Sequence, residues 1–171
     1  MGEIRKEHID RSYQADVYEL FEKYSDMVYR IARVQMKNTS DADDIFQETF
    51  LRLVRYGDTL ESEEHAKAWL IRVTLNNCKK HFSSAWVRHT ASMEAVEYTA
   101  STEPELERSD LYEAVCSLPY KQKTVIHLHY YEGYSVQEIA ALTGRKEGTV
   151  KSDLHRARKE LGKKLGGMEF G

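Results

Sequence analysis

The sequence predicts an all-α protein made of two small helical domains joined by an acidic linker. Apolar residues recur at helical spacing along most of the chain. The 171 residues include only two prolines and nine glycines, so long helices are permitted almost everywhere. A stretch without a convincing period, residues 89–105, separates the helical parts and is acidic toward its end. We therefore expect domains at residues 10–88 and 106–166.

The composition is that of a globular protein, with 31% charged and 41% hydrophobic residues. No apolar run approaches the ~18 residues of a membrane span. The segment from Met1 to Asp10 is charged and lacks the apolar core of a signal peptide. Cys78 and Cys116 are isolated, without metal-type spacing. These features predict a cytoplasmic protein with no membrane insertion.

The first domain should begin with a helix from Tyr13 to Met36. Its apolar residues recur every three or four positions: Val17, Leu20, Phe21, Tyr24, Val28, Ile31 and Val34. Asn38 and Thr39 end this helix, and Ser40 can cap a second helix that runs to about Tyr56. The stripe expected to be buried in the second helix comprises Ile45, Phe46, Phe50, Leu51 and Val54.

A third helix, from about His65 to Phe82, is expected after a polar loop from Gly57 to Glu64. Its apolar positions include Trp69, Leu70, Val73 and Cys78, and for Trp69 a core role is favoured over an exposed stacking role. No acidic residue occurs between His65 and Met93, but five basic residues do: Lys67, Arg72, Lys79, Lys80 and Arg88. A basic helix in a chain of net charge −3 indicates a surface for a polyanion.

The second domain contains a predicted helix-turn-helix. Pro104, with Thr102 as its cap, should open a helix that continues to Pro119. Ser135 and Glu138 have the spacing of a capping box, and Gly144 can supply a turn. A second helix should start near Glu147.

The second helix of this motif has one apolar and one polar face. At about 100° per residue, the buried stripe is Val150, Leu154, Ala157 and Leu161. The opposite face carries Gly148, Lys151, Ser152, His155, Arg156 and Lys159. Because a small glycine and basic side chains suit close approach to DNA, this face is a candidate for reading a major groove.

Four segments resemble the sigma-70 family, in family order. Lys146–Leu161, with G-T-V-K-S and L-H-R-A-R, resembles the recognition helix of its fourth region, and Leu118–Ser135 resembles the first half of that region. Asp41–Leu53, D-A-D-D-I-F-Q-E-T-F-L-R-L, resembles its polymerase-binding helix. Lys67–Asn76, K-A-W-L-I-R-V-T-L-N, resembles its promoter-melting segment. The short chain is similar to the extracytoplasmic-function (ECF) group.

The resemblance implies an alternative sigma factor that binds core RNA polymerase, through the clamp helices of its largest subunit and its flap, and promoter DNA. The polymerase-binding residues would be Asp44, Gln47, Glu48 and Leu51. The −10 strand would be held by Arg72, Asn76, Asn77, Lys79 and Lys80, with the Gly57–Glu64 loop helping to form a base pocket. The −35 element would be read by Lys146, Gly148, Thr149, Lys151, Ser152, His155, Arg156 and Lys159. The linker would pass through the active-site cleft, and an anti-sigma factor is an expected partner.

Two positions depart from the family pattern. Lys80 stands where members often have an acid or Asn, so the family pattern does not give the −10 preference at this position. Asp153 stands where many have Arg, and it lies about 70° from the buried stripe. At that angle it can pair with Arg156 or Lys159 and orient them.

Three other classes of protein were weighed against this interpretation. A helix-turn-helix regulator outside the polymerase would need an α/β receiver, and no strand-like alternation occurs in the N-terminal part. An enzyme is not expected, because the chain has no phosphate loop, zinc motif or nucleophile elbow. His127 and His129 lie on different sides of a helix, so packing is favoured over a zinc site with Cys116. A plain helical interaction protein would not need two basic segments. We therefore predict no catalytic residues, no cofactor and no metal.

Overall fold

The computed structural model describes residues 15–91 and 109–166, and the side chains of residues 85–91 are outside that description. Within those ranges all regular structure is helical, as predicted. The first domain contains α1 (Val17–Gln35), α2 (Thr39–Tyr56), a 3₁₀ turn (Gly57–Thr59) and α3 (Glu63–Ala91). The second contains α4 (Asp110–Cys116), α5 (Tyr120–Ile126) with a π-helical continuation (His127–Tyr131), α6 (Val136–Thr143) and α7 (Glu147–Lys164).

Side-chain caps fix the starts of the first two helices. Asp16 accepts a hydrogen bond from the backbone N–H of Tyr18 at 2.9 Å and so begins α1. Asn38 accepts from the N–H of Asp41 at 2.8 Å and begins α2. The prediction that Ser40 caps α2 is therefore wrong. Asn38 has the extended backbone of a cap residue, whereas Ser40 is already inside the helix.

The buried face of α2 differs from the predicted one. The residues that are buried are Ala42, Ile45, Thr49, Phe50 and Leu53. Leu51 and Val54 were expected in the core, but they are 53% and 66% exposed. Because α1 and α3 both pack on the side of α2 that carries Ile45 and Leu53, the apolar residues one position away along the chain point outward. Tertiary packing thus selects one of two apolar stripes on this helix.

Helix α3 is longer than predicted at both ends. It begins at Glu63 and continues to Ala91, since neither Gly nor Pro interrupts that segment. Leu70 and Cys78 are fully buried, and Trp69 is partly buried against the core, which agrees with a packing role. The three helices α1, α2 and α3 pack against one another.

The second domain is assembled around α7, which packs against α4, α5 and α6. Helix α4 begins at Asp110, where Ser109 accepts a hydrogen bond from the N–H of Tyr112 at 3.1 Å. The predicted helix start at Thr102 and Pro104 lies outside the described residues, as do residues 92–105 of the predicted linker and the predicted domain starts at 10 and 106. Residues 89–91 of that linker belong to α3 instead. Val150, Leu154, Ala157 and Leu161 are buried, which confirms the predicted stripe of α7.

The two domains also contact each other. Their buried apolar residues form one continuous cluster. At its edge, the Gln35 side-chain amide in α1 donates a hydrogen bond to the hydroxyl of Thr124 in α5 at 2.9 Å. Arg30 in α1 forms an ion pair with Glu132, which follows the π-helical segment, at 3.2 Å. The domains are therefore docked on each other.

Candidate nucleic-acid interface

The helix-turn-helix is built as the sequence indicated. The hydroxyl of Ser135 accepts from the backbone N–H of Glu138 at 3.1 Å, and the Glu138 carboxylate accepts from the N–H of Ser135 at 2.7 Å. Hydrogen bonding of the Glu138 carboxylate to the backbone and side chain of Ser135 holds the pKa of Glu138 below its ordinary value. Gly144 ends α6 with φ 67°, a left-handed conformation that favours glycine. The capping box and the turn together fix where α7 begins.

The polar face of α7 is open. Every residue predicted to read the −35 element is exposed: Lys146, Gly148, Thr149, Lys151, Ser152, His155, Arg156 and Lys159. Apart from the chain neighbours and the backbone of α7 itself, no heavy atom lies within 4 Å of a Cβ built on Gly148, so the backbone there is accessible. The Ser152 hydroxyl donates to the carbonyl of Gly148 at 2.9 Å, which leaves its oxygen free to accept. The face therefore presents cationic donors beside an approachable backbone.

Asp153 lies under this face and pairs with one arginine before α7 and one within it. Its carboxylate is almost buried and accepts from Arg145, in the turn before α7, at 2.8 Å. Its other oxygen is 3.6 Å from the Arg156 guanidinium, whose side chain is 66% exposed. The expected link to Arg156 is present. The stronger partner, Arg145, was not anticipated, because the sequence does not show that the turn folds back over Asp153.

The basic residues of α3 form a second exposed stripe. Arg72, Asn76, Lys79 and Lys80 are all exposed and follow one another at helical spacing. Asn77 does not belong to this stripe. It is 5% exposed, and its amide donates to the Thr49 hydroxyl in α2 at 3.2 Å, so it stabilises helix packing inside the first domain. We correct the predicted −10 set by removing Asn77.

A third exposed face runs along α2. Asp44, Gln47 and Leu51 are exposed, and Glu48 is half-buried in an ion pair with Arg52 at 3.1 Å. The four predicted polymerase-binding residues therefore share one side of the helix.

Sequence reasoning missed two apolar side chains near that face. Val54, which was expected in the buried stripe of α2, is 66% exposed, and Phe21 in α1 is 40% exposed. Phe21 packs edge-on against Phe50, with 4.8 Å between ring centroids. The exposure of Val54 follows from which stripe of α2 is buried, and that choice depends on tertiary packing.

The docking of the two domains brings the α3 stripe close to the helix-turn-helix. Arg72, Asn76 and Lys79 line one wall of a cavity of about 280 Å³. The opposite wall is formed by the end of α6 and the turn, from Ala141 to Arg145. The predicted −10 residues thus face the turn of the helix-turn-helix across this cavity, whereas none of the predicted −35 residues lines it.

The two histidines weighed as metal ligands have separate hydrogen-bond partners. A ring nitrogen of His127 lies 3.2 Å from the Glu132 carboxylate, and one of His129 lies 2.8 Å from the carbonyl of Tyr134. Among residues 15–91 and 109–166, no cluster of His, Cys, Asp and Glu could hold a metal ion. In the same ranges no helix combines the length and the apolar character needed to cross a membrane.

Comparisons with known families match both halves of the chain. The model of sigma-70 region 2 matches residues 20–88, which contain α1, α2 and most of α3. The model of sigma-70, region 4, matches residues 108–161, which contain the helix-turn-helix.

Relatives with similar sequences carry related names. The ECF RNA polymerase sigma factor SigM of Mycobacterium tuberculosis is 30% identical over 154 residues, covering 90% of this chain and 79% of its own. The RNA polymerase sigma factor SigV of Bacillus subtilis is 32% identical over 132 residues, covering 77% of this chain and 80% of its own.

A solved structure has a similar fold. The sigma factor RpoE of Bartonella quintana, in complex with the anti-sigma factor NepR, has a TM-score of 0.73 at 24% identity, covering 86% of this chain and 95% of that one.

Proposed function

The chain belongs to the sigma-70 family, in its ECF group, and is an alternative sigma factor that directs promoter-specific transcription; we propose that three exposed faces divide this work. One face binds core RNA polymerase, one holds the −10 element and one reads the −35 element. The observation that carries the proposal is that all three sets of residues lie on separate, single sides of three helices.

We assign polymerase binding to the α2 face. Asp44, Gln47, Glu48 and Leu51 offer carboxylates beside an exposed apolar side chain, and Val54 extends the apolar part by one helical turn. Such a surface suits the basic coiled coil of the clamp, because apolar burial supplies affinity and opposite charge fixes orientation. The second domain would then dock on the flap.

We assign the −10 strand to the α3 stripe. Arg72, Lys79 and Lys80 provide a cationic track for phosphates, and Asn76 can hydrogen-bond an unstacked base. The neighbouring 3₁₀ turn, Gly57–Thr59, and the residues up to Glu64 would close the base pocket. The α7 face, in turn, reads the −35 element in the major groove through Lys151 and Arg156.

Wider aspects of the proposal follow from family membership. The domains are assigned as residues 10–88 and 106–166, and the acidic linker 89–105 would pass through the active-site cleft. We propose that the chain acts in the cytoplasm on RNA polymerase, catalyses no reaction itself and needs no cofactor. We also propose that an anti-sigma factor binds the chain, a kind of partner that the RpoE relative has in its solved complex.

Run-off transcription tests the proposal as a whole. The purified chain is added to bacterial core polymerase and a pool of genomic fragments, and the transcript starts are sequenced. Starts that share a two-block upstream motif and require the chain are expected. No starts, together with no binding to core polymerase, would instead indicate a helix-turn-helix regulator that works outside the polymerase.

Two substitutions should separate polymerase binding from promoter reading. Glu48→Lys reverses charge on the α2 face and should abolish holoenzyme formation without unfolding the chain. Arg156→Ala removes an exposed donor of α7 and should lower promoter selection by about 1–3 kcal/mol while core binding stays intact. Core binding is measured by gel filtration and promoter selection by competition between templates.

Glu64→Lys is the matched control for the first substitution, because Glu64 is an exposed acid outside the α2 face. Its holoenzyme should form as in the wild type. Normal holoenzyme formation by Glu48→Lys would remove the interface assignment, and an equal loss of core binding and promoter selection in Arg156→Ala would remove the reading role.

A further inference from the structure

We propose that Tyr130 holds Arg158 in position to bind a backbone phosphate of promoter DNA beside the −35 element. Neither residue belongs to the set predicted to read that element. The inference rests on the proposed function of α7, because Arg158 lies on that helix. It adds two residues to the DNA-binding surface: an arginine that contacts phosphate, and a tyrosine from another helical segment that positions this arginine.

The two side chains are joined by a hydrogen bond and by a ring contact. Nε of Arg158 donates to the Tyr130 hydroxyl at 2.7 Å, and the guanidinium carbon lies 5.7 Å from the centre of the Tyr130 ring. Two contacts between the same residues restrict where the planar guanidinium can point. Within the described residues this hydrogen bond uses Nε alone, so Nη1 and Nη2 remain available to an anion.

Tyr130 is itself held by its neighbours. It lies in the π-helical segment His127–Tyr131, and its ring meets that of His129 edge-on with 4.9 Å between centroids. A ring nitrogen of His129 is 2.8 Å from the carbonyl of Tyr134, which fixes the histidine. Tyr130 is 48% exposed, so the arrangement lies at the surface rather than in the core. π-helical segments are frequent at functional sites, and this one presents an oriented cation to solvent.

Tyrosine orients the guanidinium of Arg158 without neutralising its charge. Two other arginines of the helix-turn-helix, Arg145 and Arg156, are paired with the carboxylate of Asp153. In the described part of the chain, Arg158 has no carboxylate partner. Because a tyrosine hydroxyl carries no charge of its own, the full positive charge is left for an external anion. An oriented guanidinium with two unused nitrogens matches the oxygens of a phosphate group.

Arg158 lies at one margin of the face of α7 that is proposed to read DNA. Helical geometry puts it about 100° from Lys159, near the middle of that face, and about 20° from Lys151. A helix with its side chains is about 10–12 Å wide, close to the ~12 Å width of the major groove. Side chains in the middle of an inserted face therefore meet base edges, whereas those at its margins meet the sugar–phosphate backbone. Arg158 is placed to meet a phosphate.

The salt dependence of DNA binding tests the proposal, with holoenzyme reconstituted from the full-length chain. Fluorescence anisotropy gives dissociation constants between about 50 and 200 mM salt, a range over which phosphate contacts are strongly weakened. One labelled duplex carries the −35 block found by run-off sequencing, and a second carries that block scrambled. Gel filtration with core polymerase and urea unfolding check that each variant assembles and folds.

Arg158→Met removes the charge and the hydrogen bond together. It should weaken binding of both duplexes equally, by about five- to ten-fold at about 0.1 M salt, because one lost phosphate contact lowers the slope of log affinity against log salt by about 0.9. The ratio between the two duplexes, which reports base reading, should keep its wild-type value. Lys164→Met is the control, since it removes the same charge from an exposed position of α7 about 140° from Lys159. It should change neither slope nor affinity.

Tyr130→Phe keeps the ring and removes the hydroxyl. It should weaken binding of both duplexes by about two- to five-fold with an unchanged slope, because the charge of Arg158 remains and only its orientation is lost. In the Arg158→Met background the same change should have no effect, and a double-mutant cycle measures this coupling. Tyr131→Phe is the control: it is the neighbouring residue, 51% exposed, and its ring stacks on His127. It should bind like the wild type.

Three outcomes would overturn the inference. An unchanged slope in Arg158→Met would exclude a phosphate contact, and a loss confined to the duplex with the −35 block would indicate base reading instead. An equal effect of Tyr130→Phe with and without Arg158 would remove the positioning role. Loss of holoenzyme formation in either variant would assign the pair to polymerase binding rather than to DNA.

The wild type separates these failures from failure of the proposed function. If its holoenzyme prefers the duplex with the −35 block, the reading role of α7 stands whatever the variants show. If it binds both duplexes equally, that role fails, and the inference fails with it.

Discussion

Lys123 carries its ammonium group into the region where the two domains meet. It is 8% exposed, and its recorded acceptors are the carbonyls of Gln35 and Cys116, both at 3.4 Å. Burial lowers the pKa of Lys123; the nearby thiols of Cys116 and Cys78 oppose that shift, and Lys37 adds to it. A charge placed here is costly, since two long hydrogen bonds replace its hydration.

Lys123→Met should therefore raise the free energy of unfolding by about 1 kcal/mol at pH 7. Because the folded-state pKa lies below 10.5, the wild type gains stability as pH rises from that lowered value toward 10.5. The advantage of the variant should shrink over the same range. Urea unfolding at pH 7, 9 and 10 measures both effects. Lys121→Met, an exposed change on the same helix, should be nearly neutral, and a destabilised Lys123→Met would contradict the argument.

Asp153 also depends on a residue outside its own helix, Arg145 in the turn before α7. It stands where the family pattern favours a cation, and its position on α7 identified Arg156 as a partner. The buried ion pair with Arg145 arises because the Gly144 turn brings the preceding loop over α7. Asp153 therefore anchors the turn to the recognition helix while keeping the exposed Arg156 in reach.

At the scale of elements, the helix-turn-helix depends on two glycines that have opposite roles. Gly144 has φ 67°, where a Cβ meets its own backbone even though no neighbour lies within 4 Å. Gly148 lies in the first turn of α7 with ordinary helical backbone and open space around it. The fold requires a glycine at the first position, whereas nothing in the described structure requires one at the second.

Alanine substitutions should distinguish these two roles. Gly144→Ala should lower the free energy of unfolding by about 1–2 kcal/mol. Gly148→Ala should leave it unchanged or raise it by up to about 1 kcal/mol, yet weaken −35 recognition, because a methyl group keeps the DNA backbone away. Urea unfolding and holoenzyme binding to a −35 duplex measure the two quantities. Equal stability losses in both variants would contradict this division.

At the scale of the whole molecule, Glu132 links the domains. Burial alone would raise the pKa of its carboxyl, but the hydrogen bond and charge of His127 and the charge of Arg30 outweigh burial and hold the pKa below its ordinary value. His127 belongs to the same domain and Arg30 to the other. One carboxylate thus stabilises both the second domain and its docking on the first.

The contribution of Glu132 should be lost in acid. A carboxyl with a lowered folded-state pKa stabilises the protein above its ordinary pKa of 4.5, and this stabilisation disappears as pH falls through the lowered value. Glu132→Gln should therefore be less stable at pH 5.5, by about 1–3 kcal/mol, and should lose less stability than the wild type between pH 5.5 and 3.5. Glu113→Gln, an exposed acid of the same domain, is the control for urea unfolding. Parallel pH profiles for Glu132→Gln and wild type would refute the assignment.

Local sequence determined the helices, the helix-turn-helix and most of the exposed faces. The apolar stripe from Val150 to Leu161, the Ser135–Glu138 capping box and the left-handed Gly144 each depend on neighbours within a few residues. Such features can be predicted from spacing alone, because helix geometry and capping are local. The same holds for the exposed stripe of α3 and the polar face of α7.

Tertiary structure decided which of several acceptable faces is buried. On α2 two apolar stripes were available, and packing by α1 and α3 buried Leu53 while exposing Leu51 and Val54. Tertiary packing also directs Asn77 inward, where it hydrogen-bonds Thr49, and pairs Arg145 with Asp153. It also docked the second domain on α3. These outcomes involve residues far apart in the chain, and their free energies come from contacts that exist only once the helices have assembled.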